Sequence, residues 1–567
     1  MACVLADAIV GEPVVRRNPP SASMFDFFTH RKGPTTTKIF FVPTPDPFEN
    51  PLVETNPSAL RQWATALPFA NPEQLAEAVL TSLVRLNRFP GEVRKRDELM
   101  EIYATPVQRL LHGSSARKGQ APLFALRQVM MEMAYGYCHL ANECITGKAT
   151  KKGLQRLKLG IYNAINFYLQ EYLYACEEFD CRATHTYREL SRLHTYAVEQ
   201  NIHQDPVEDE NHPEVERTIE QEYCRFLLLR LLDPCHLQEG EPRICFNYLD
   251  SLSQHARFMS PSQEVDRSGH YVIDRLGEVP PSQFEPDVVD TLAQPRFTLF
   301  DLHPVSLQIH QQLRALERSE EQKPAAMSGL TTREITNLLA RMLKSWHIRL
   351  QRDSERHTTS GQVNLWLGLS NIHLYLNQND LQPMDEQTQD DEITLSQSSS
   401  AMQAQAQDPD TPQLSARRSN QSRSGVALII SPGPGATSLV GELALIRLQT
   451  GSNLDEWKIG IVKRALKRAD KTIEIGIQFV QGRVIPISLQ STATTQSPAE
   501  EDEPPHSHPG LYIDQGHSHR SSLIVPKQFF ALGLEYRVEE MIPAPGITPL
   551  QILESTAHFE RYRVKPV

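Results

Sequence analysis

Asn420-Gln-Ser-Arg-Ser-Gly425, followed at once by Val426-Ala-Leu-Ile-Ile430, is the segment most indicative of the architecture of this chain. The first segment has the small and polar residues of a tight turn, and the second is an aliphatic run typical of a buried strand. Comparable apolar segments follow at residues 443–448, 457–463, 473–479 and 484–489. Short strands separated by turn residues predict an antiparallel β-barrel for this region.

Upstream of these strands stands Arg352-Asp-Ser-Glu-Arg356, in which two arginines are four residues apart. Apolar residues then alternate with other residues from Val363 to Leu369, which predicts a further strand. Residues 377–415 are rich in Gln, Ser and acids and contain no Lys or Arg. That composition predicts a disordered insertion between the arginine pair and the Asn420 turn.

The two motifs together supply groups suited to a doubly phosphorylated ligand that carries guanine. Arginine can pair with two phosphate oxygens or with guanine O6 and N7, and it can stack on a base. Asn420 and Ser422 can donate and accept hydrogen bonds at a guanine edge. Gly425 can let the backbone approach a ligand or turn through positive φ. Each motif alone is common on a solvated helix end or in a turn, so the specific signal is their order along the chain.

This order resembles the PilZ family, whose members are bacterial β-barrel domains that bind cyclic di-GMP. The downstream sequence is also similar to that family, at Val440-Gly-Glu-Leu443, at residues 457–464 and at residues 473–479. The resemblance covers about residues 349–490, in the C-terminal part of the chain. The helical N-terminal part matches no family that its motifs identify.

The PilZ resemblance implies a set of ligand-binding residues. By it, Arg352 and Arg356 contact cyclic di-GMP, and Asn420, Ser422 and Gly425 line the barrel face. The insertion is longer than the connection in simpler members, and Asn420 stands where Asp is commoner. Arg417 and Arg418, just upstream of the turn, are either further phosphate contacts or basic loop residues.

The first half of the chain has helical periodicity instead. Asn71-Pro-Glu-Gln74 predicts a capped helix start, followed by the apolar stripe Leu75, Val79, Leu83 and Leu86. Further helices are predicted at residues 122–143, 151–178, 183–200 and 213–233. Thr331-Thr-Arg-Glu334 predicts a capping box, and its helix runs towards Arg352. Gly136 and Gly160 inside helices predict close packing, and Glu132 and Glu171 are expected to be surface charges.

The expected fold class is therefore α+β multidomain: an N-terminal all-α bundle or hairpin array, then a PilZ-like antiparallel β-barrel. We expect an extended arm over residues 1–54 and a helical domain over 55–350 with a small strand excursion near 268–303. The barrel with its insertion is expected over 351–490, and a loop and C-terminal β extension over 491–567.

Composition excludes several classes of function. The 57 basic and 69 acidic residues give a net charge of -12, which argues against a general DNA- or RNA-binding protein. The 8 cysteines form no CxxC pair, which favours buried free thiols in a reducing cytoplasm over a metal cluster. No membrane span or targeting signal is predicted. His506, His508, His517 and His519 could bind a metal, but their polar loop favours solvated side chains, so no metal or cofactor is predicted.

The predicted function is a cytoplasmic cyclic di-GMP receptor that relays binding through the helical domain to a protein partner, in motility or biofilm control. No enzyme is predicted, because no nucleophile–base pair or phosphate loop is present in the sequence. The alternative is a nucleotide-independent adaptor with a degenerate PilZ-like barrel. Loss of binding on substitution of Arg352 would exclude that alternative.

Overall fold

A computed structural model gives the structure of this chain. It describes residues 39–46, 53–116, 123–147, 150–182, 184–207, 217–262, 265–288, 292, 295–318, 322–347, 357–379, 413–431, 438–449, 455–491, 508–516, 521–530, 536–538 and 546–566. Two compact units are present. Unit 1 comprises residues 1–175, 182–232 and 244–349, and unit 2 comprises residues 176–181, 233–243 and 350–567. Most of the predicted arm and nearly all of the acidic insertion lie outside the described residues.

Residues 57–347 are mainly helical. The described α-helices of this region are α1 (Pro57–Thr65), α2 (Pro72–Arg88), α3 (Arg96–Ala116), α4 (Leu123–Thr146), α5 (Lys151–Glu177), α6 (Thr184–Glu199), α7 (Ile219–Leu231), α8 (Glu241–Leu252), α9 (His303–Arg318) and α10 (Thr332–His347).

Side-chain caps set where several helices begin. The Asn71 side chain accepts hydrogen bonds from the backbone N–H groups of Glu73 and Gln74, which confirms the predicted start of α2. Thr331 and Glu334 exchange hydrogen bonds at the start of α10, as the capping box predicted. The predicted start of α7 at residue 213 is wrong, because a capping box between Thr218 and Gln221 fixes the first turn at Ile219.

Apolar stripes on these helices form the core of unit 1. The residues of α2 that were predicted to share one face, Leu75, Val79, Leu83 and Leu86, are all buried. The same is true of the stripe on α10, from Ile335 to Trp346. Gly160 of α5 lies against the backbone of Ala141 in α4, where a Cβ would come within 3.2 Å of the Ala141 nitrogen. A side chain at residue 160 would therefore require α4 or α5 to shift by a few tenths of an ångström.

Two glutamates expected on the surface are buried instead. Glu132 accepts hydrogen bonds from Asn87 and Arg88, and Glu171 accepts them from Arg127 and Thr186. A buried carboxylate is tolerated only when such partners replace its water, so these residues join helices rather than face solvent. Removing one partner of either pair would leave an uncompensated charge in the core.

Unit 1 also contains a four-stranded antiparallel sheet. Its strands are β1 (Arg257–Met259), β2 (His270–Asp274), β3 (Ser282–Gln283) and β4 (Phe297–Asp301), in the order β1-β4-β2-β3. The sheet lies close to the predicted strand excursion. Asp274 ends β2, and its carboxylate accepts two hydrogen bonds from the Arg296 guanidinium and three from backbone N–H groups of the following turn. These bonds hold the pKa of the Asp274 carboxyl below its ordinary value, although burial alone would raise it.

Unit 2 contains two closed antiparallel barrels. The first is made of β6 (Gln362–Leu367), β7 (Leu414–Ser422), β8 (Gly425–Ile430), β9 (Leu443–Gln449), β10 (Asp455–Lys467) and β11 (Ile473–Phe479). Its strand order is β7-β6-β9-β10-β11-β8, and the pairing of β7 with β8 closes the ring. The short strand β5 (His357–Thr358) adds to the free stretch of β7.

The second barrel follows directly. It consists of β12 (Arg483–Ser491), β13 (His508–Asp514), β14 (Ser522–Pro526), β15 (Tyr536–Val538), β16 (Gly546–Ser555) and β17 (Phe559–Pro566). Its order is β12-β13-β14-β17-β16-β15, closed by the pairing of β15 with β12.

A helix packs with both barrels. Gly368 has a φ of 93°, which ends β6 and lets the chain turn into α11 (Leu369–Asn379). Ile372 and Leu376 of α11 share one apolar cluster with Leu445 of the first barrel and Leu511 of the second. The predicted strand alternation up to Leu369 is therefore wrong at its end, and a helix begins there.

The α+β multidomain fold class, with helices followed by antiparallel barrel structure, is confirmed. Among the described helices, none is long and apolar enough to cross a membrane. Seven cysteines, all but Cys3, lie among the described residues; none of these seven forms a disulfide, and all except the partly exposed Cys144 are buried.

Candidate functional site

The Asn420 motif forms the hairpin that closes the first barrel. Ser422 pairs with Gly425 across a two-residue turn made of Arg423 and Ser424. The Ser422 hydroxyl donates a hydrogen bond to the Gly425 carbonyl, with 3.3 Å between the oxygens. The Ser424 carbonyl accepts a hydrogen bond of 2.9 Å from the backbone N–H of Phe479 on β11. The turn is therefore fixed from within and by the neighbouring strand.

A β-bulge decides which way the motif faces. Ala416 of β7 lies in the interior of the barrel, together with Val426 and Leu428 of β8. The register between β7 and β8 shifts between Arg418 and Asn420, so that Asn420 stands opposite Ala427 rather than opposite an interior residue. Without this extra residue the alternation of side chains would point Asn420 inward. The bulge turns both Asn420 and Ser422 to the outer face.

Gly425 is required by close packing of strands. A Cβ at this position would lie 2.3 Å from the carbonyl oxygen of Ile477 on β11. The φ angle of Gly425 is not positive, so the backbone conformation alone does not require a glycine at this position. The close approach at Gly425 is therefore made by a neighbouring strand, which gives the glycine a role in the fold whatever it does toward a ligand.

The neighbouring arginines lie on β7 rather than in a loop, which corrects the expectation that they are basic loop residues. Arg418 stands opposite Leu428, on the inner side of the hairpin, and its Nη1 donates to the Gln421 Oε1 over 3.0 Å. The Arg418 Nε is buried and has no hydrogen-bond partner. Arg417 is exposed and stands opposite Gln362 of β6 in the strand register. Arg417 is thus the one of the two that is open to solvent.

Strand β5 connects the arginine motif to this hairpin along the chain. His357 pairs with Gln421 and Thr358 pairs with Asn420. Arg356 is the residue immediately before His357 in the sequence. Arg352 and Arg356 themselves lie outside the described residues. The structure therefore brings Asn420, Ser422 and Gly425 together, and β5 joins the segment after Arg356 to the same hairpin.

A further arginine lies in the same row of the sheet. Asn420 stands opposite Ala427, Ala427 opposite Gly476, and Gly476 opposite Arg464 of β10. Three strand spacings separate the ends of this row, roughly 14 Å. The Arg464 guanidinium is paired with Glu474 at 3.4 Å. No sequence motif marks Arg464, because only the pairing of β7, β8, β11 and β10 places it in the same row as Asn420.

Unit 1 has a cavity of about 350 Å³ that sequence analysis also missed. It is lined by residues from α6, α7, the sheet and the loops next to them, among them His194, His203, Glu220, Tyr223, Phe258 and Arg275. The rings of His194 and Tyr223 stack with their centroids 4.2 Å apart. Burial alone would raise the pKa of Glu220, but the His194 ring 3.9 Å away, a hydrogen bond from Gln204 and the charge of His203 lower it overall. Its residues come from segments too far apart in sequence to form a motif.

The histidine pattern near the second barrel is only partly described. His508 begins β13, and its ring centroid lies 4.9 Å from that of Phe529. His506, His517 and His519 lie outside the described residues.

Comparison with protein families gives two matches, both to one family. Residues 58–263 match the N-terminal domain of the cyclic-di-GMP receptor FimW. Residues 272–383 match the middle PilZ domain of the same receptor. The two matches together span more than half of the chain. No curated protein sequence matches this chain.

These matches correct two expectations. The N-terminal helical part does match a family, although its helices carry no short motif from which a family could be named. The PilZ match lies in the middle of the chain and overlaps the predicted range of 349–490 only up to residue 383. It includes β6 and α11 but ends before β7. The prediction relied on strand alternation after Arg356, and the helices and short strands between residues 272 and 348 offered no such signal.

Proposed function

Because the chain belongs to the family of the cyclic-di-GMP receptor FimW, we propose that this receptor holds its dinucleotide on the outer face of the first barrel. The ligand residues of the proposal are Arg352, Arg356, Asn420, Ser422 and Gly425. The observation that carries it is the bulge in β7, which turns Asn420 and Ser422 to one face beside the strand that follows Arg356. An inward-facing Asn420 would have removed this basis.

The arginine motif and the Asn420 motif would recognise different parts of the dinucleotide. Cyclic di-GMP carries two phosphates and two guanines, and the planar guanidinium groups of Arg352 and Arg356 suit both. The Asn420 amide and the Ser422 hydroxyl supply a donor and an acceptor for a guanine edge. The Ser422 hydroxyl already donates to the Gly425 carbonyl, so it would meet the ligand as an acceptor. Arg417, exposed on β7, is a candidate for an additional phosphate contact.

The test is isothermal titration of the full chain with cyclic di-GMP. Wild-type protein is compared with R352A, N420A and S422A, and R483A is the control. Arg483 is an exposed arginine at the start of β12, so its substitution changes the net charge as R352A does but in the other barrel. Loss of a hydrogen bond to a charged ligand group costs about 1.5–3 kcal/mol, or about tenfold to a hundredfold in affinity, and loss of one to a neutral group costs about 0.5–1.5 kcal/mol.

The expected result is binding by the wild type and by R483A, with affinity weakened at least tenfold in R352A and about twofold to tenfold in N420A. Binding that N420A and R352A retain in full would refute the proposed site while leaving the chain a receptor. Failure of the wild type to bind would favour the nucleotide-independent adaptor.

We further propose that ligand binding is relayed through α10 to a protein partner, and that the receptor works in the cytoplasm. α10 ends at His347, and the chain reaches Arg352 five residues later. Coupling requires that the ligand bind two states of the receptor with different affinity. Hydrogen exchange in residues 332–347 should therefore change on addition of cyclic di-GMP to the wild type and not to R352A. Unchanged exchange in the wild type, under conditions where titration shows binding, would contradict the relay.

A further inference from the structure

Two histidines and an aspartate converge where the sheet of unit 1 meets α9. His270 begins β2, Asp301 ends β4, and the two are directly paired in the sheet. His303 begins α9, two residues after Asp301. A nitrogen or carboxylate oxygen from each of the three lies within 4.8 Å of the others. Three elements of the fold thus present their ends to one point.

The His270 ring is oriented by backbone carbonyls. Its Nδ1 lies 2.9 Å from the carbonyl oxygen of Asp266 and 3.1 Å from that of Ser268. Because carbonyls only accept, Nδ1 carries the proton, and in the neutral ring Nε2 carries a lone pair. That Nε2 lies 3.5 Å from the Asp301 Oδ1, and both side chains are largely buried. Two acceptors that face each other in this way attract a cation between them.

Asp301 and His303 complete the arrangement. The Asp301 Oδ1 accepts the backbone N–H of His303 and lies 2.9 Å from its Nδ1. The His303 side chain is 48% exposed, so the cluster is open to ions from solvent on that side. Four ligands about 2.0 Å from a tetrahedral zinc ion lie about 3.3 Å from one another. The Asp301 Oδ1 lies at comparable distances from the two histidine nitrogens, 3.5 Å from the His270 Nε2 and 2.9 Å from the His303 Nδ1.

We propose that His270, Asp301 and His303 bind a divalent transition-metal ion, with zinc as the expected ion and water at the fourth position. Imidazole with carboxylate is a donor set that suits zinc, whereas calcium and magnesium take oxygen ligands. The carbonyls of Asp266 and Ser268 supply the outer hydrogen bonds that orient a metal-binding histidine.

A third histidine forms the wall of the site rather than a ligand. The His347 Nδ1 lies 3.1 Å from the Ser268 hydroxyl, and its Nε2 lies 2.5 Å from the Ser306 hydroxyl. Gly269 has a φ of 69°, and a Cβ there would lie 2.7 Å from the His347 Cε1. Ser268 and Gly269 therefore let the His347 ring pack beside the loop that orients His270.

The role that this geometry supports is structural. An ion held at the start of β2, the end of β4 and the start of α9 would join the sheet to the helix. A ligand that binds only the folded state raises its stability in proportion to the logarithm of ligand concentration over Kd. Zinc should therefore raise the thermal midpoint of the protein.

The experiment uses the full chain after removal of metal with EDTA, titrated with zinc by calorimetry and by thermal melting. D301N keeps an oxygen that accepts the His303 N–H at the helix start, and H270N keeps a donor for the Asp266 carbonyl; each removes a ligand. The control is H310Q, which removes an exposed histidine from the same helix.

The expected result is one zinc ion bound at the site, affinity weakened at least tenfold in D301N and H270N, and no change in H310Q. The zinc-dependent rise in thermal midpoint should be lost in the same two variants. Zinc bound equally by D301N and the wild type would assign it to other histidines and overturn the proposal. If the wild type does not bind zinc and the three side chains only gain and lose protons, the proposal is overturned as well.

Discussion

The two barrels of unit 2 have the same closed six-stranded design but use their polar residues differently. In the second barrel the buried Glu560 carboxylate accepts hydrogen bonds from the Tyr562 hydroxyl and the Gln528 N–H, so it serves the fold. In the first barrel a bulge turns Asn420 and Ser422 outward at the end where the ring closes. In the first barrel, one additional residue in β7 therefore places these polar groups on the outer face.

The largest expected effect tests whether the two barrels can be separated in function. L428A in the first barrel and L523A in the second each remove a fully buried side chain. Each should lower the free energy of unfolding by about 2–5 kcal/mol, because a cavity remains. Urea unfolding followed by circular dichroism measures this. At temperatures where L523A stays folded it should bind cyclic di-GMP like the wild type, and loss of binding there would contradict a site on the first barrel alone.

A second, smaller effect tests the close approach of strands in the first barrel. G425A places a Cβ against the Ile477 carbonyl and should destabilise the protein by about 1–3 kcal/mol. G476A is the matched control on β11, where the nearest atom to a new Cβ is 3.6 Å away. Chemical unfolding should distinguish the two variants, and equal stability of both would show that β8 and β11 can move apart.

The third prediction concerns a pair that connects the barrels. The Glu442 carboxylate lies 3.2 Å from the His558 Nδ1. Burial raises the pKa of Glu442 above its ordinary value of 4.5, although the His558 charge lowers it in part. The folded state thus holds this proton more tightly than the unfolded state. The stabilisation that comes from this protonated Glu442 carboxyl is complete below pH 4.5 and is lost as the pH rises through the raised pKa of the folded state.

The variant E442Q should remove this part of the pH dependence. The difference in unfolding free energy between wild type and E442Q should change by at most about 1.4 kcal/mol per pH unit above pH 4.5 and then level off. Unfolding curves from pH 4 to 8 measure it. A difference that is constant across this range would show that Glu442 titrates as it does in the unfolded chain.

The smallest effect is expected at the ion pair between Lys463 of β10 and Glu554 of β16, which also connects the barrels. Both side chains are partly exposed, and such pairs contribute about 0–1 kcal/mol. A double-mutant cycle with K463M and E554Q should give a coupling in that range, reduced by salt. A coupling of several kcal/mol would mean that this pair, rather than the apolar cluster around α11, holds the barrels together.

Local signals predicted much of the fold. The stripes of α2 and α10, their caps, and the strands β8, β9, β10, β11 and β12 follow from spacing and composition alone. Within the predicted loop and C-terminal β extension, β13, β16 and β17 were not identified as individual strands, because their alternation is interrupted by Pro509, Pro549 and charged residues. The closure of each ring depends on pairing between distant strands, which no local pattern contains.

The candidate site was predictable only as a list of residues. The sequence motif names Asn420 and Ser422, but their outward direction depends on the bulge at Arg418, which is a matter of register. The cluster of His270, Asp301 and His303 was invisible for the same reason. His270 and Asp301 are neighbours only because β2 pairs with β4.

Hydrogen exchange of the full chain, measured with and without saturating cyclic di-GMP, tests directly which barrel holds the dinucleotide. A site at Asn420 and Ser422 predicts slower exchange in residues 414–430, which form the β7–β8 hairpin, and unchanged exchange in residues 546–566 of the second barrel. Protection confined to the second barrel or to unit 1, with the hairpin unchanged, would contradict a dinucleotide site at Asn420 and Ser422.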